Sequence, residues 1–508
     1  MLTRVRTSTL TGIDAIAVDV EVEVRPGKPS FTIIGLADSA IRESRDRVTA
    51  ALKHSGFLLP EQILVNLAPA EVKKEGAAFD LPIAMAILAA SRQVQIPDAM
   101  NVCFHGELAL DGRLKHIRGA LALAVEARQQ RIPLLIVPEE NFREANLISG
   151  VTVYPARTLI EVVRHFKGVP LNPPAIIEST ATSLPALKLV SEVWGQESAK
   201  RALLVAAAGG HNIIMIGPPG CGKSMLAERF SSLLPPLREE ELLEVVRIQS
   251  VAGVSTQSAL AGQRPFRCPH HGISDAGLIG GGSVPRPGEI SLAHHGVLFL
   301  DEFPEYRRSA LEALRAPLES GFVQVSRAKA SLRIPSRFQL IAAMNPCPCG
   351  RLGMNAATCT CSRAAILNYL KKLSQPILDR IDLHVELSPV GFSRMERLPT
   401  AQQQVSEQKL RKLVLDARQR QLDRQGEINS VLAGDVLLQQ LNAQKSIRIL
   451  LQDACEKRGL SARAYVRILR VARSIADLEG SHEIQSQHIS EALSYRSLER
   501  MERYCVAA

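Results

Sequence analysis

The segment GPPGCGKS, residues 217–224, constrains this chain more than any other feature. It satisfies GxxxxGK[ST]: the glycines let backbone N–H groups wrap phosphate oxygens, the lysine reaches the β- and γ-phosphates, and the hydroxyl faces Mg²⁺. The setting is the one the mechanism needs. An apolar run, Asn212–Ile216, reads as a strand leading in, and Met225–Leu234 reads as a helix leading out. The N-terminus of that helix adds positive potential where the phosphates would lie. Gly217, Pro218, Pro219, Gly220, Cys221, Gly222, Lys223 and Ser224 are therefore expected to hold ATP, with Ser224 on Mg²⁺. Cys221, just before the helix, has two readings: a thiolate favoured by the loop N–H groups and the helix dipole, or a side chain that merely fills a small-residue slot.

Two later strands complete the pattern. GVLFLDEF, 296–303, is an apolar run ending in two acids. Asp301 is expected to hold Mg²⁺ through water, and Glu302 to position or activate the attacking water. FQLIAAMN ends in Asn345, a polar amide suited to sensing the γ-phosphate. Helices alternating with such strands predict a parallel sheet flanked by helices.

The chain has 508 residues, which at roughly 150 per domain predicts about three domains. Residues 1–168 read as a mixed α/β block. Residues 169–186 carry four Pro and no Lys or Arg, the mark of a linker. Residues 187–395 form the nucleotide-binding core. Residues 396–508, free of Pro from 401 onward, read as an all-helical lid. No run approaches about 18 uninterrupted apolar residues, and the N-terminus lacks a signal-peptide core, so a membrane span and secretion are not expected. Nine Cys, an odd number, argue against a disulfide framework and for a reducing, cytoplasmic setting. Four of them, Cys347, Cys349, Cys359 and Cys361, form CxC–x9–CxC. Four thiolates around a short loop can close a tetrahedral Zn²⁺ site. The other reading is free thiols in a turn.

The P-loop, the strand-end Asp-Glu, the strand-borne Asn, PILDRID (376–382) and a helical lid resemble an AAA+ ATPase. VWGQESAKRALLVAAAGGHN (193–212), RPFRCPHH (264–271), LIGGGSVPRPGEISLAHHGVLFLDEFPE (278–305), NPCPCG (345–350) and SARAYVRILRVARSIADLEG (461–480) narrow the resemblance to the magnesium-chelatase-like AAA+ family of the YifB/ComM type. That resemblance implies a ring-forming ATPase, here a homo-hexamer, with ComM-type members acting as DNA branch-migration helicases. It also assigns Arg380, in LDRID, as an arginine finger offered to a neighbouring subunit. Arg463, in SAR, becomes the lid's sensor arginine. Physically, an arginine supplied in trans stabilises charge developing on the γ-phosphate.

Residues 106–141 and 63–84 resemble the protease domain of Lon, without its chemistry. Ala78 stands where the nucleophilic Ser would be and Leu121 where the Lys would be. With neither partner of a Ser–Lys dyad present, a Lon-like fold without proteolysis is expected. Lys73 and Lys74 are expected to be solvated or to face nucleic acid.

Phosphate contact points to two places. FVQVSRAKASLRIPSRF, 322–338, predicts a β-hairpin carrying Arg327, Lys329, Arg333 and Arg337 and no acid. The insertion 262–290 carries Arg264 and Arg267, with His270 and His271 expected to serve only the loop. Aromatics are 4% of residues, so phosphate contacts rather than base stacking should dominate, with little sequence preference. The expected partner is single-stranded or branched DNA. A magnesium-chelatase motor and an ATP-dependent protein remodeller are the competing functions.

Overall fold

The computed structural model describes residues 1–171, 188–281, 286–327, 330–352, 359–389, 400–441, 445–458, 460–496 and 498. The chain divides into two compact units. One comprises Met1–Leu184, Glu239–Ala261 and Gly282–Pro287; the other comprises Pro185–Arg238, Gly262–Gly281 and Gly288–Ala508. The helical lid thus shares a unit with the nucleotide-binding core. Residues Glu239–Ala261, which the sequence division places inside that core, belong instead to the first unit.

The first unit is built on a seven-stranded mixed sheet. Its strands are β1 (Leu2–Thr11), β2 (Asp14–Arg25), β3 (Ser30–Ile34), β4 (Gln62–Ala68), β5 (Val102–Phe104), β6 (Leu134–Pro138) and β7 (Thr152–Ala156), in the order β3-β4-β2-β1-β5-β6-β7. β1 and β2 pair antiparallel, with Thr11 opposite Asp14, and Gly12 at φ +66° opens the two-residue turn between them. Helices α1 (Ser39–His54), α2 (Asp80–Ala90), α3 (Ala120–Gln129) and α4 (Leu159–Phe166) accompany the sheet. α2 is apolar nearly all round and correspondingly buried. At its start Asp80 is fully buried, held by Arg47 through bonds of 2.7 and 3.0 Å.

The second unit contains five parallel strands: β8 (Ile213–Ile216), β9 (Phe266–Arg267), β10 (Val297–Leu300), β13 (Gln339–Met344) and β14 (Leu383–Glu386). Two further strands, β11 (Phe322–Arg327) and β12 (Ala330–Pro335), form a separate antiparallel hairpin. The parallel sheet runs β9-β10-β13-β8-β14. β8, β10 and β13 are buried at every position, which explains why they read as unbroken apolar runs rather than alternating ones. Helices α5 (Glu197–Gly209) and α6 (Lys223–Arg229) flank this sheet, while α7 (Glu239–Ala252) belongs to the first unit.

The lid comprises α8 (Thr400–Gln425), α9 (Gly434–Leu441), α10 (Lys445–Arg458), α11 (Ala462–Leu478) and α12 (Ser486–Ser494). α11 packs on α5, α8 and α12. A buried polar chain ties it to the core. His211 Nδ1 is 3.2 Å from Asp382 Oδ2, and His211 Nε2 is 2.7 Å from Ser474 Oγ. A Ser–His–Asp line so enclosed admits no substrate and serves to pin α11. No helix among the described residues is long and apolar enough to cross a membrane.

Candidate nucleotide site

In an open parallel sheet the crevice lies beyond the carboxyl ends of the strands. Three neighbouring strands deliver the expected groups there: β8 the P-loop, β13 Asn345, and β10 Asp301 and Glu302. Gly220 and Gly222 sit at φ +78° and +92°, the left-handed region that the loop needs and that other residues resist. Gly217 is required for space. A Cβ there would come within 2.7 Å of Leu387 O and 2.8 Å of Cys221 Sγ.

Lys223 is buried, and its ammonium donates to Gly217 O at 2.7 Å, Pro218 O at 2.9 Å and Asn345 Oδ1 at 3.2 Å. Ser224 Oγ donates to Asp301 Oδ2 at 2.6 Å. Lysine, amide, hydroxyl and carboxylate are thus brought together. Glu302 adopts φ +51° with its backbone N–H on Asp301 Oδ1 at 2.9 Å, a conformation that costs a non-glycine residue about 1–3 kcal/mol.

Cys221 follows the second of its two readings. It is 5% exposed, and burial pushes its thiol above the ordinary range despite the nearby Lys223 charge. The sulfur fills the space under the loop and is not poised as a thiolate.

Arg380 does not meet its own P-loop. It donates to Pro376 O at 2.6 Å and to the carboxylate of Glu319, an acid whose role the sequence reading overlooked. Arg380 first, then Arg463 and Arg315, hold Glu319 below the usual carboxylate range. Arg463 lies exposed in the first turn of α11, which Ser461 caps by accepting from Ala464 N at 3.2 Å.

The phosphate-contact residues divide. β11 and β12 pair antiparallel from Phe322↔Pro335 to Arg327↔Ala330. The side chains of Arg327 and Lys329 fall outside the described residues. Arg333 lies 3.6 Å over the Phe322 ring. Arg264 and Arg267 are bonded within the fold. Arg264 is bonded to Pro235 O and His295 O at 2.7 Å each, and Arg267 is bidentate to Glu289 at 2.6 and 2.7 Å. These bonds brace the insertion, and they pair the Arg267 charge with Glu289. Lys74 is corrected: it is fully buried, its ammonium on Pro69 O, whereas Lys73 is exposed beside Glu75.

His271 goes beyond a loop role, since its Nδ1 is 3.1 Å from Glu302 Oε2. Gln196 was also missed; its amide donates to Cys221 O at 3.0 Å and Ser388 O at 2.7 Å, bracing the P-loop. Neither residue carried a spacing signal, because each reaches the site from a separate part of the chain.

The four cysteines converge, with their ligand atoms all within 4.8 Å of one another. Sγ of Cys347 is 3.4 Å from that of Cys349 and 3.7 Å from that of Cys359, and Cys349 and Cys359 are 3.7 Å apart. Tetrahedral Zn–S bonds of about 2.3 Å require sulfurs roughly 3.8 Å apart, so the set fits zinc. The backbone N–H of Arg351 brings the Cys349 thiol down to about 6, while burial pushes the Cys347 thiol up to about 12. The loop abuts the nucleotide site: a Cβ on Gly350 would come within 2.7 Å of Pro219.

The model for magnesium chelatase, subunit ChlI, matches residues 189–395, which hold all of the nucleotide groups except Arg463. Two further models match: subunit ChlI of Mg-chelatase over 20–141, and the ChlI C-terminal region over 404–496. The chain is 42% identical to competence protein ComM of Haemophilus influenzae over 496 residues, 96% of each chain. The chain belongs to the YifB/ComM magnesium-chelatase-like family. The uncharacterized protein YifB of Escherichia coli is also 42% identical, over 98% of each chain. The magnesium-chelatase 38 kDa subunit of Rhodobacter capsulatus is 26% identical, over 60% of this chain and 87% of its own length. Membership in this family and the P-loop geometry together support ATPase activity.

Proposed function

We propose that the protein is an ATP-hydrolysing AAA+ motor that assembles as a homo-hexamer and drives branch migration or unwinding of recombination or transformation intermediates. One observation carries the ATPase reading: Lys223, Asn345, Ser224, Asp301 and Glu302 converge at the carboxyl ends of three adjacent strands. The hydroxyl–carboxylate pair of Ser224 and Asp301 supplies hard oxygen donors of the kind Mg²⁺ takes, and Mg²⁺ would neutralise charge on the phosphates. Lys223, now on loop carbonyls, turns to the β/γ-phosphates. Water adds to the γ-phosphorus, its proton passes to Glu302, and the bond to the bridging oxygen of ADP breaks, leaving ADP and phosphate.

The DNA substrate rests on the basic hairpin and on similarity to a protein named for competence. The ring rests on Arg380: a finger that serves a neighbour makes each site incomplete alone, and head-to-tail contact closes naturally into a ring. Zn²⁺ at the four cysteines would be structural, since four protein ligands leave no open position. The second reading, a magnesium-chelatase-like motor, is favoured by the family models and the Rhodobacter subunit.

The deciding measurement is ATP turnover with and without a synthetic four-way DNA junction. Junction-stimulated hydrolysis, abolished by Lys223→Ala, is expected. Turnover that ignores DNA while the protein supports metal insertion into a porphyrin would favour the second reading.

A further inference from the structure

We infer that Glu319 is a positioning residue that keeps the Arg380 guanidinium folded back on its own chain, restraining hydrolysis until the basic hairpin moves. This rests on the reading of Arg380 as a finger offered to a neighbouring subunit. Arg380 Nη1 donates to Pro376 O at 2.6 Å, and Nη2 donates to the Glu319 carboxylate. In this position the arginine side chain is 12% exposed, so it offers little to a neighbour. Only the side chain has to move. The backbone is fixed by the Arg380 N–H on Ile377 O and by Asn212 Nδ2 donating to Arg380 O, each at 2.9 Å.

The hold is built to open. Nε of Arg380 is buried and meets no acceptor among the described residues. A buried donor left unmet disfavours the folded-back position, and phosphate oxygens would meet it. The Glu319 side chain is 70% exposed, and ion pairs so exposed shift an equilibrium by up to about five-fold. Release does not isolate the acid, because the charges of Arg463 and Arg315 also bear on Glu319. What moves the acid is its place in the chain. Glu319 lies on the short helix Arg315–Ser320, and β11 begins at Phe322. Gly321, at φ +73°, makes the turn between them, and its carbonyl accepts from the Ser336 N–H, just past β12, at 2.8 Å. The base of the hairpin and the helix that carries Glu319 are thus one continuous piece, and DNA that tilts the hairpin draws the carboxylate off Arg380.

The test is steady-state ATP hydrolysis by the full chain, with and without a synthetic four-way DNA junction. The variants are Glu319→Ala, Glu319→Gln, Arg380→Ala and the double variant Glu319→Ala with Arg380→Ala. Glu319→Ala is expected to raise kcat without DNA about two- to five-fold with KM unchanged, and to shrink stimulation by the junction by the same factor. Glu319→Gln keeps an acceptor without the charge and should fall between the parent and the Ala variant. The double variant should show no gain over Arg380→Ala, because the gain passes through Arg380. An unchanged or lower kcat in Glu319→Ala, with a fluorescent ATP analogue still bound as by the parent, overturns the restraint, and so does a gain that survives the loss of Arg380. Arg380→Ala separates the two claims. If it hydrolyses ATP as the parent does, the finger itself fails. If it is inactive while the Glu319 variants match the parent, only the restraint fails.

Discussion

At the scale of single residues, the site depends on where charge and burial place each side chain. Cys221 shows the rule most clearly. Its neighbours in sequence argue for a reactive thiolate, but the loop folds over the sulfur and desolvation outweighs the Lys223 charge. Its alkylation by iodoacetamide at pH 8 is therefore expected to be slower than that of a free thiol; mass-spectrometric labelling rates on the native chain check this. Equal rates would show the sulfur to be open. Arg380 makes a complementary point. Its residue type and motif were legible, but its resting partner was not, because Glu319 lies 61 residues away on the short helix Arg315–Ser320.

At the scale of elements, the loop between β13 and the following helix, Arg363–Leu370, gathers four sulfurs beside the P-loop. Protein purified in metal-free buffer is expected to carry about one equivalent of zinc by elemental analysis, and chelation to lower its melting temperature. Folded, active protein without zinc would remove the site. The β11–β12 hairpin makes a different prediction. Arg327→Ala with Lys329→Ala should leave basal hydrolysis in place and weaken DNA binding with little regard to sequence. The slope of log affinity against log salt should become shallower by roughly one to two units. Fluorescence anisotropy on a labelled junction at several salt concentrations measures it, and an unchanged slope would detach the hairpin from DNA.

At the scale of the whole molecule, the candidate nucleotide site of one chain holds its own Lys223, Ser224–Asp301 pair and Glu302, but its Arg380 is bonded to Pro376 and Glu319. Arg380→Ala is expected to bind ATP as the parent does and to lose hydrolysis by about 10³-fold or more. Mixed with Lys223→Ala, which is inactive for the opposite reason, it should regain part of its activity, since neighbouring subunits can then pair one intact P-loop with one intact finger. If mixtures stay as inactive as the separate variants, the finger does not act in trans.

The sequence by itself determined the parallel α/β core, the phosphate-binding loop, the hairpin and the cysteine quartet. Each is written in a short contiguous run whose periodicity or spacing states its local structure: GPPGCGKS needs two left-handed glycines, and NIIMI, GVLFL and FQLIAAM need a sheet buried on both faces. Tertiary structure decided what no short run can express. It buried Lys74 and Cys221, engaged Arg264 and Arg267 within the fold, and moved α7 into the unit of the N-terminal sheet, where Arg247 donates to Ile13 O at 2.8 Å. It also set His271 against Glu302. The physical reason is common to all of these. Desolvation and ion pairing depend on neighbours brought together by strand order and packing, which a short run of sequence does not state, from Lys74 on Pro69 to Arg247 on Ile13.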